Sequence, residues 1–144
     1  MSRSLKARGI LETAIYGADL NALERFYCDV FGLEVLLRAE RRLTALRCGH
    51  SALLLFDPGV SREPGFIPEH GTAGAGHIAF IIEEDERDEW RERLAAHGVA
   101  IEKEITWEDG GTSIYVRDPA GNSVELAPPQ LWRGLGRALL DASR

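Results

Sequence analysis

Apolar and polar positions alternate at the start of the chain in a way that predicts a strand followed by a helix. Over residues 10–17, even-numbered side chains point to one face and odd-numbered side chains to the other. Asp19 then offers an N-cap to a helix whose apolar residues recur at helical spacing as far as Phe31, and Gly32 provides a stop. Three apolar runs, 33–37, 43–48 and 51–56, are predicted as strands. This part of the chain is therefore expected to fold as β-α-β-β-β.

The same order recurs in the second part of the chain. His77 to Ile82 is predicted as a strand, and a helix follows from Asp85 or Asp88 until Gly98 ends it. The further strands are predicted over 99–103, 112–117 and 123–127, the last two separated by the turn-forming sequence Asp-Pro-Ala-Gly-Asn. A repeat of this size predicts two similar modules packed about a pseudo-twofold axis.

These elements predict an α+β fold with two βαβββ modules in one domain, residues 1–144. Module one is expected over about 9–57 and module two over about 76–127. The segment 58–75 between them, rich in proline and glycine, is predicted as a loop, and loops of this length are usually functional or linkers. A C-terminal helix is expected over about 129–142.

Composition excludes several classes of partner. The formal net charge of −6, with basic residues interspersed among acids, argues against nucleic acid. No run approaches the ~18 apolar residues that a membrane span needs. The basic N-terminus lacks the apolar core of a secretory signal, so a cytoplasmic protein is expected, with Cys28 and Cys48 as reduced thiols.

Three polar residues fall at matching places in the repeat. Glu12 and His77 lie on the two opening strands, and Glu125 lies on the second closing strand. A buried charge is costly without a partner, so such residues usually pair or bind a metal. One imidazole and two carboxylates suit Zn, Mn, Fe, Co or Ni. A lone histidine in a strand is more often a hydrogen-bonded core or surface residue, and Glu125 fits a solvent face, but the repeat predicts that the three converge.

The sequence resembles the vicinal oxygen chelate superfamily, which includes glyoxalase I, extradiol dioxygenases, fosfomycin and bleomycin resistance proteins and methylmalonyl-CoA epimerase. The matching segments lie within residues 9–127: Asp19-Leu20 through Phe26-Tyr27 to Phe31-Gly32-Leu33; Gly76-His77-Ile78-Ala79-Phe80; and Asp118-Pro119-Ala120-Gly121-Asn122-Ser123-Val124-Glu125-Leu126. The resemblance implies a glyoxalase-like fold, in which two βαβββ modules form a cup-shaped mixed sheet around a divalent metal.

The resemblance also implies a ligand set. His77 and Glu125 match ligand positions of the family, and Glu12 stands where most members carry His or Gln. Alignment of the two closing strands places Leu53 opposite Glu125, where glyoxalase I carries a glutamate ligand. The chain therefore departs from the four-ligand set of glyoxalase I. It departs equally from the two-histidine, one-carboxylate set of the dioxygenases and fosfomycin enzymes.

The leading functional hypothesis is a small metal-dependent enzyme of the lyase or isomerase type. The metal would act as a Lewis acid on neighbouring oxygens of a small substrate, with Glu12 or Glu125 as the general base. Candidate substrate contacts are Tyr16, Trp107, Tyr115 and Arg117. Surface or core packing explains Trp107, Tyr115 and Arg117 equally well. For Arg117, an ion pair with Asp118 is the simpler explanation.

Two other functions compete with this hypothesis. A metal-free ligand-binding protein like the bleomycin resistance proteins is supported by Leu53 in a ligand position, and an extradiol dioxygenase ranks last because it needs a second histidine. A homodimer is expected, since modules of this fold pair edge to edge. The stripe of Leu131, Leu135 and Leu139 on the terminal helix is a candidate part of that interface.

Overall fold

A computed structural model of the protein describes residues 5–143. Module one contains β1 (Glu12–Tyr16), α1 (Leu20–Arg25) continued by a π-type segment (Phe26–Val30), β2 (Glu34–Ala39), β3 (Leu43–Cys48) and β4 (Ser51–Phe56). A single helical turn, α2 (Pro58–Ser61), follows. Module two contains β5 (His77–Ile81), a 3-10 turn (Glu84–Glu86) leading into α3 (Arg87–Ala96), β6 (Lys103–Thr106), β7 (Thr112–Arg117) and β8 (Ser123–Ala127). The chain ends in α4 (Leu131–Ala142).

Each module forms one open four-stranded mixed sheet, in the orders β1-β4-β3-β2 and β5-β8-β7-β6. The opening strand of each module pairs in parallel with its closing strand, and the other pairs are antiparallel. The predicted α+β fold with two βαβββ modules and a terminal helix is therefore confirmed. Strands β1 and β5 each lie at the edge of their sheet.

The two modules meet through the helical sides of their sheets. Leu23 of α1 and Leu94 of α3 are completely buried in one shared core. Phe31 stacks on Phe80 with ring centroids 4.8 Å apart, and on Trp90 at 5.7 Å. Burial of apolar surface is the main stabilising term in such a junction, at roughly 25 cal/mol per Å². The opposite sheet faces carry Glu12 and His77, which are both exposed, and α4 covers the Ile81 end of the module-two face.

Two predicted elements are placed differently. The strand predicted over 99–103 is wrong, because β6 begins only at Lys103, where its pairing with Tyr115 starts. Val99 instead packs against the core as the chain leaves α3, and its N–H bonds to the carbonyl of Leu94. Pro58–Ser61 is a helical turn rather than loop, because Pro58 suits a first helical position and Asp57 caps it through the N–H of Gly59.

The terminal helix is broken near its start. Trp132, Arg133 and Gly134 have φ values of 55°, 58° and 79°, in the left-handed region. Beyond the break, Gly136 allows α4 to lie close to β5, because a Cβ at this position would lie 2.5 Å from the Ile81 side chain. Leu135 and Leu139 of the predicted stripe are more than half exposed, and Leu131 is partly buried.

None of the helices within residues 5–143 combines the length and apolar character that crossing a membrane requires.

Candidate functional site

The open face of module two carries an imidazole and a carboxylate in contact. Parallel pairing places His77 beside Ser123 and Ala79 beside Glu125, so all four side chains point to the same face. His77 Nε2 lies 3.3 Å from Glu125 Oε1. The histidine side chain is 52% exposed and the glutamate side chain 8% exposed, so solvent reaches the pair from the side of His77 while Glu125 is buried.

The other ring nitrogen of His77 determines what the pair can hold. Its Nδ1 lies 3.2 Å from the Ser123 carbonyl oxygen, which only accepts, and 3.2 Å from Ser123 Oγ, which can donate or accept. When Nδ1 donates to the carbonyl, a neutral His77 presents the lone pair of Nε2 to Glu125 Oε1, and a metal ion fits between the two acceptors. When Nδ1 accepts from Ser123 Oγ, Nε2 carries the hydrogen and donates to Glu125. Donors bound to one ion at ~2.0–2.2 Å are themselves about 3.0–3.5 Å apart, which the pair satisfies.

Two consecutive hydrogen bonds, from Trp107 to Ser113 and from Ser113 to Glu125, hold the Glu125 carboxylate in place. Trp107 Nε1 donates to Ser113 Oγ at 2.8 Å, and Ser113 Oγ lies 2.7 Å from Glu125 Oε2. An indole N–H can only donate, so the hydroxyl hydrogen of Ser113 is directed to the carboxylate. Oε2 is thereby occupied and Oε1 is left for His77. Trp107, predicted as a substrate contact, has its N–H committed to this support.

Tyr115 covers one side of the pair. Its ring stacks on the His77 ring with centroids 6.3 Å apart and an interplanar angle of 23°. Burial, and secondarily the Glu125 carboxylate, raises the pKa of the Tyr115 hydroxyl. The phenol is therefore neutral at physiological pH, and its hydroxyl is within hydrogen-bonding reach of Glu125 and Ser113.

Arg117 is engaged elsewhere. Its Nε and Nη2 contact the Glu102 carboxylate at 2.5 and 3.0 Å, and its Nη1 donates to the Gly121 carbonyl at 3.0 Å. The ion-pair partner is thus Glu102 rather than the expected Asp118. Arg117 also lines a shallow cleft of about 680 Å³ together with Phe26 of the helical side. The structure does not bring its guanidinium to the His77–Glu125 pair.

Glu12 and Tyr16 lie on the open face of module one. Glu12 is exposed, and within residues 5–143 no three His, Cys, Asp or Glu side chains form a cluster that could hold a metal. The predicted convergence of Glu12 with His77 and Glu125 is therefore not found within one chain, because the modules meet through their helices. Tyr16 hydrogen-bonds His70 Nδ1 at 2.6 Å, a contact that closes part of the 58–75 segment over the end of β1.

The module-one counterpart of Glu125 is Leu54. Leu54 pairs with Ala14 in the register in which Glu125 pairs with Ala79. The predicted counterpart, Leu53, is wrong, since it lies in the core and is 2% exposed. The β3–β4 turn has two residues and the β7–β8 turn has five, so aligning the turn glycines shifts the register by one. A leucine cannot ligate a metal at either position.

The β7–β8 turn joins the two modules beside the site. The buried carboxylate of Asp118 accepts hydrogen bonds from the Tyr27 hydroxyl at 2.7 Å and the Asn122 side chain at 2.8 Å. The Asn122 amide in turn accepts from Gly76 N at 2.8 Å and donates to the Tyr16 carbonyl at 3.2 Å. This network sets where β5 begins, immediately before His77, relative to the end of β1.

A family comparison agrees with this fold. The sequence model of the Glyoxalase/Bleomycin resistance protein/Dioxygenase superfamily matches residues 9–126. The chain belongs to this superfamily.

Individual relatives differ in activity. A solved structure titled lactoylglutathione lyase, from Agrobacterium tumefaciens, superposes with a TM-score of 0.84 at 45% identity, covering 88% of this chain and 97% of that one. Catechol-2,3-dioxygenase of Bacillus subtilis is 30% identical over 123 residues, 79% of this chain but 41% of the dioxygenase. Metallothiol transferase FosB of Staphylococcus epidermidis is 29% identical over 110 residues, 76% of this chain and 73% of the transferase.

Proposed function

We propose that this protein is a divalent-metal-dependent enzyme of the lyase or isomerase type that acts on a small oxygenated substrate. The observation that carries the proposal is the contact between His77 Nε2 and Glu125 Oε1, two atoms of metal-ligand type that lie 3.3 Å apart with the histidine exposed. The 45% identity with a protein titled lactoylglutathione lyase supports a lyase. The family's common use of divalent metals supports the cofactor.

The residues of this chain have distinct tasks in the proposed enzyme. His77 and Glu125 would hold the metal ion, which when bound supplies Lewis-acid polarisation of neighbouring substrate oxygens. Ser113 keeps Glu125 oriented. The ring of Tyr115, which stacks on the His77 ring, would form one wall of the substrate site. A carboxylate that moves a substrate proton is the remaining requirement, and we assign that role to Glu125 or Glu12.

We further propose that Glu12 reaches the site from a second copy of the chain in a homodimer. Residues 12–14 are exposed, and Ile10 and Leu11 before them are 78% and 75% exposed. Within residues 5–143, β1 and β5 each pair with a strand on one side only. Exposed edge strands favour pairing with another chain. Light scattering at micromolar concentration is expected to give the mass of a dimer, and a monomer would contradict this arrangement.

The first test is the metal content of tag-free protein after reconstitution with Mn, Fe, Co, Ni or Zn. We expect a stoichiometric metal in the wild type and its loss in His77→Ala. The matched control is His97→Ala, which removes an exposed imidazole at the end of α3 and is expected to retain the metal. Wild-type protein without metal under all five conditions would reject the proposed function.

Ser113→Ala should weaken metal binding without removing a ligand. The substitution deletes the hydroxyl that bonds Glu125 Oε2 at 2.7 Å, which frees the carboxylate to rotate. Loss of such supporting contacts costs about 10–100-fold in metal affinity. Affinity is measured by competition with a chromogenic chelator. Ser123→Ala is a useful comparison, because it removes the hydroxyl 3.2 Å from His77 Nδ1 but keeps the backbone carbonyl at the same distance, so a smaller change is expected.

A metal-free ligand-binding function is the second candidate. It is favoured by Leu54, which places an apolar side chain where module two carries Glu125. Retention of a ligand by apo-protein, with unchanged affinity in His77→Ala, would select it over the enzyme. An extradiol dioxygenase remains the least supported function. Among the described residues, His77 is the one histidine in contact with Glu125, whereas that enzyme needs two histidines at its metal. The chain also spans only 41% of the related dioxygenase.

A further inference from the structure

A lysine lies in line with the His77–Glu125 pair on the same sheet face. In the ladder of module two, Lys103 of β6 pairs with Tyr115 of β7, and Tyr115 pairs with Glu125 of β8. Residues directly opposite one another in a sheet share a face. Neighbouring strands are about 4.8 Å apart, so the Cα atoms of Lys103 and Glu125 are roughly 10 Å apart.

The charge of Lys103 is not neutralised by any carboxylate in the part of the chain that the structure describes. Among the ion pairs formed by residues 5–143, none includes Lys103, and its side chain is exposed. Its neighbour Glu104 points to the helical side and pairs with Arg91. Arg117, the other cation near this face, is held by Glu102. Lys103 is therefore the cation that a molecule lying along the row from Glu125 would meet.

The chemistry of this position suits an anion. An ammonium is a point charge on a flexible stem, which can adjust to carboxylate or phosphate without strict geometry. Ile105, two residues further along β6, is partly buried on the same face and offers an apolar surface between the charge and Trp107. Such a surface accepts a short carbon chain.

We propose that Lys103 binds an anionic group of the substrate, so that the substrate class is a small oxygenated carboxylate or phosphate. Its neighbouring oxygens would face His77 and Glu125, and its charged end would lie a few atoms away toward β6. This inference rests on the proposed function, because it takes the His77–Glu125 pair as the metal site. It deepens that function by assigning specificity to a residue outside the pair.

The test uses two probes that differ only in charge at one end. Succinic monohydroxamic acid presents two neighbouring oxygens and a distal carboxylate, and its carboxamide counterpart is neutral at that end. With metal-loaded wild type, we expect the carboxylate probe to bind about 10-fold more tightly, a difference of about 1.4 kcal/mol. In Lys103→Met the preference should fall to about 1-fold, and Lys103→Arg should restore most of it.

Controls separate this inference from the proposed function. Lys6→Met makes the same change at an exposed residue of the N-terminal segment, and it should keep the wild-type preference. Metal content is measured for every variant. Equal binding of both probes by metal-loaded wild type, or an unchanged preference in Lys103→Met, overturns the role of Lys103 alone. Absence of metal, or of binding by both probes, overturns the proposed function and this inference with it.

Discussion

Replacing Asp118 by alanine is expected to lower the free energy of unfolding by about 3–5 kcal/mol. The buried carboxylate accepts from the Tyr27 hydroxyl, from the Asn122 side chain and from the backbone N–H groups of Ala120 and Asn122. Each buried donor left without a partner costs about 1–3 kcal/mol, and water entering the turn recovers part of that loss. The same network bonds Gly76 N through Asn122, so misplacement of His77 is expected as well.

Urea denaturation followed by circular dichroism measures this effect. Asp109→Ala is the matched control, because Asp109 also accepts from a backbone N–H in a turn, that of Gly111 at 3.1 Å, but is exposed. We expect the control to cost under about 1 kcal/mol. Tyr27→Phe, which removes one bond from the network, should fall between the two at about 1–2 kcal/mol. If Asp118→Ala were as stable as Asp109→Ala, the Asp118 hydrogen bonds would not stabilise the contact between the two modules, and this prediction would be wrong.

Strands that lie next to short turns could be predicted closely from the sequence. Predicted strands over 43–48, 51–56, 112–117 and 123–127 coincide with β3, β4, β7 and β8. These strands carry their own signal, because one face is buried and short turns bound them. Residues 99–102 have a similar apolar pattern, but Val99 packs on the core before the β6–β7 ladder begins. An apolar pattern predicts burial, and it does not distinguish a buried loop residue from a strand residue.

The sequence could predict a site residue only where a titratable side chain stands within an otherwise apolar strand. His77 and Glu125 each stand out as a titratable group in an apolar strand, and parallel pairing of β5 with β8 brings them together. Ser113 and Lys103 carry no such signal, because a polar residue in an alternating strand is indistinguishable from one on a solvent face. Their roles depend on which residues lie opposite them across the ladder.

The assignment of Leu53 illustrates the limit set by periodicity. A shift of one residue moves every side chain of a strand to the other face of the sheet. Turn glycines aligned the two closing strands, but the turns differ in length, and the leucine that faces the site is Leu54. The conclusion that module one lacks a second carboxylate there holds in either register. That the residue is Leu54 rather than Leu53 follows only from the strand pairing in the structure.

Mixing two inactive variants is expected to restore metal binding if the site is shared between copies. Glu12→Ala and Glu125→Ala should each lose tight metal binding, by about 100-fold or more, since each removes a proposed ligand rather than a supporting contact. In a symmetric dimer with sites built from both copies, a mixed pair contains one site with both substitutions and one intact site. Random reassortment makes half of the dimers mixed, so about one quarter of all sites should bind metal tightly.

The experiment distinguishes a shared site from a site within one chain, because only a shared site can be rebuilt by exchange of subunits. Equal amounts of the two variants are refolded together, and bound metal is counted after removal of loosely held ions. The control mixes Glu125→Ala with the Glu12→Ala/Glu125→Ala double variant, where no combination supplies Glu125 and no recovery is expected. Recovery near one quarter in the first mixture alone would place Glu12 of one copy beside His77 and Glu125 of the other. Mixed dimers that form without recovery would mean that Glu12 is not the third ligand, and that the exposed faces of β1 and β5 serve association alone.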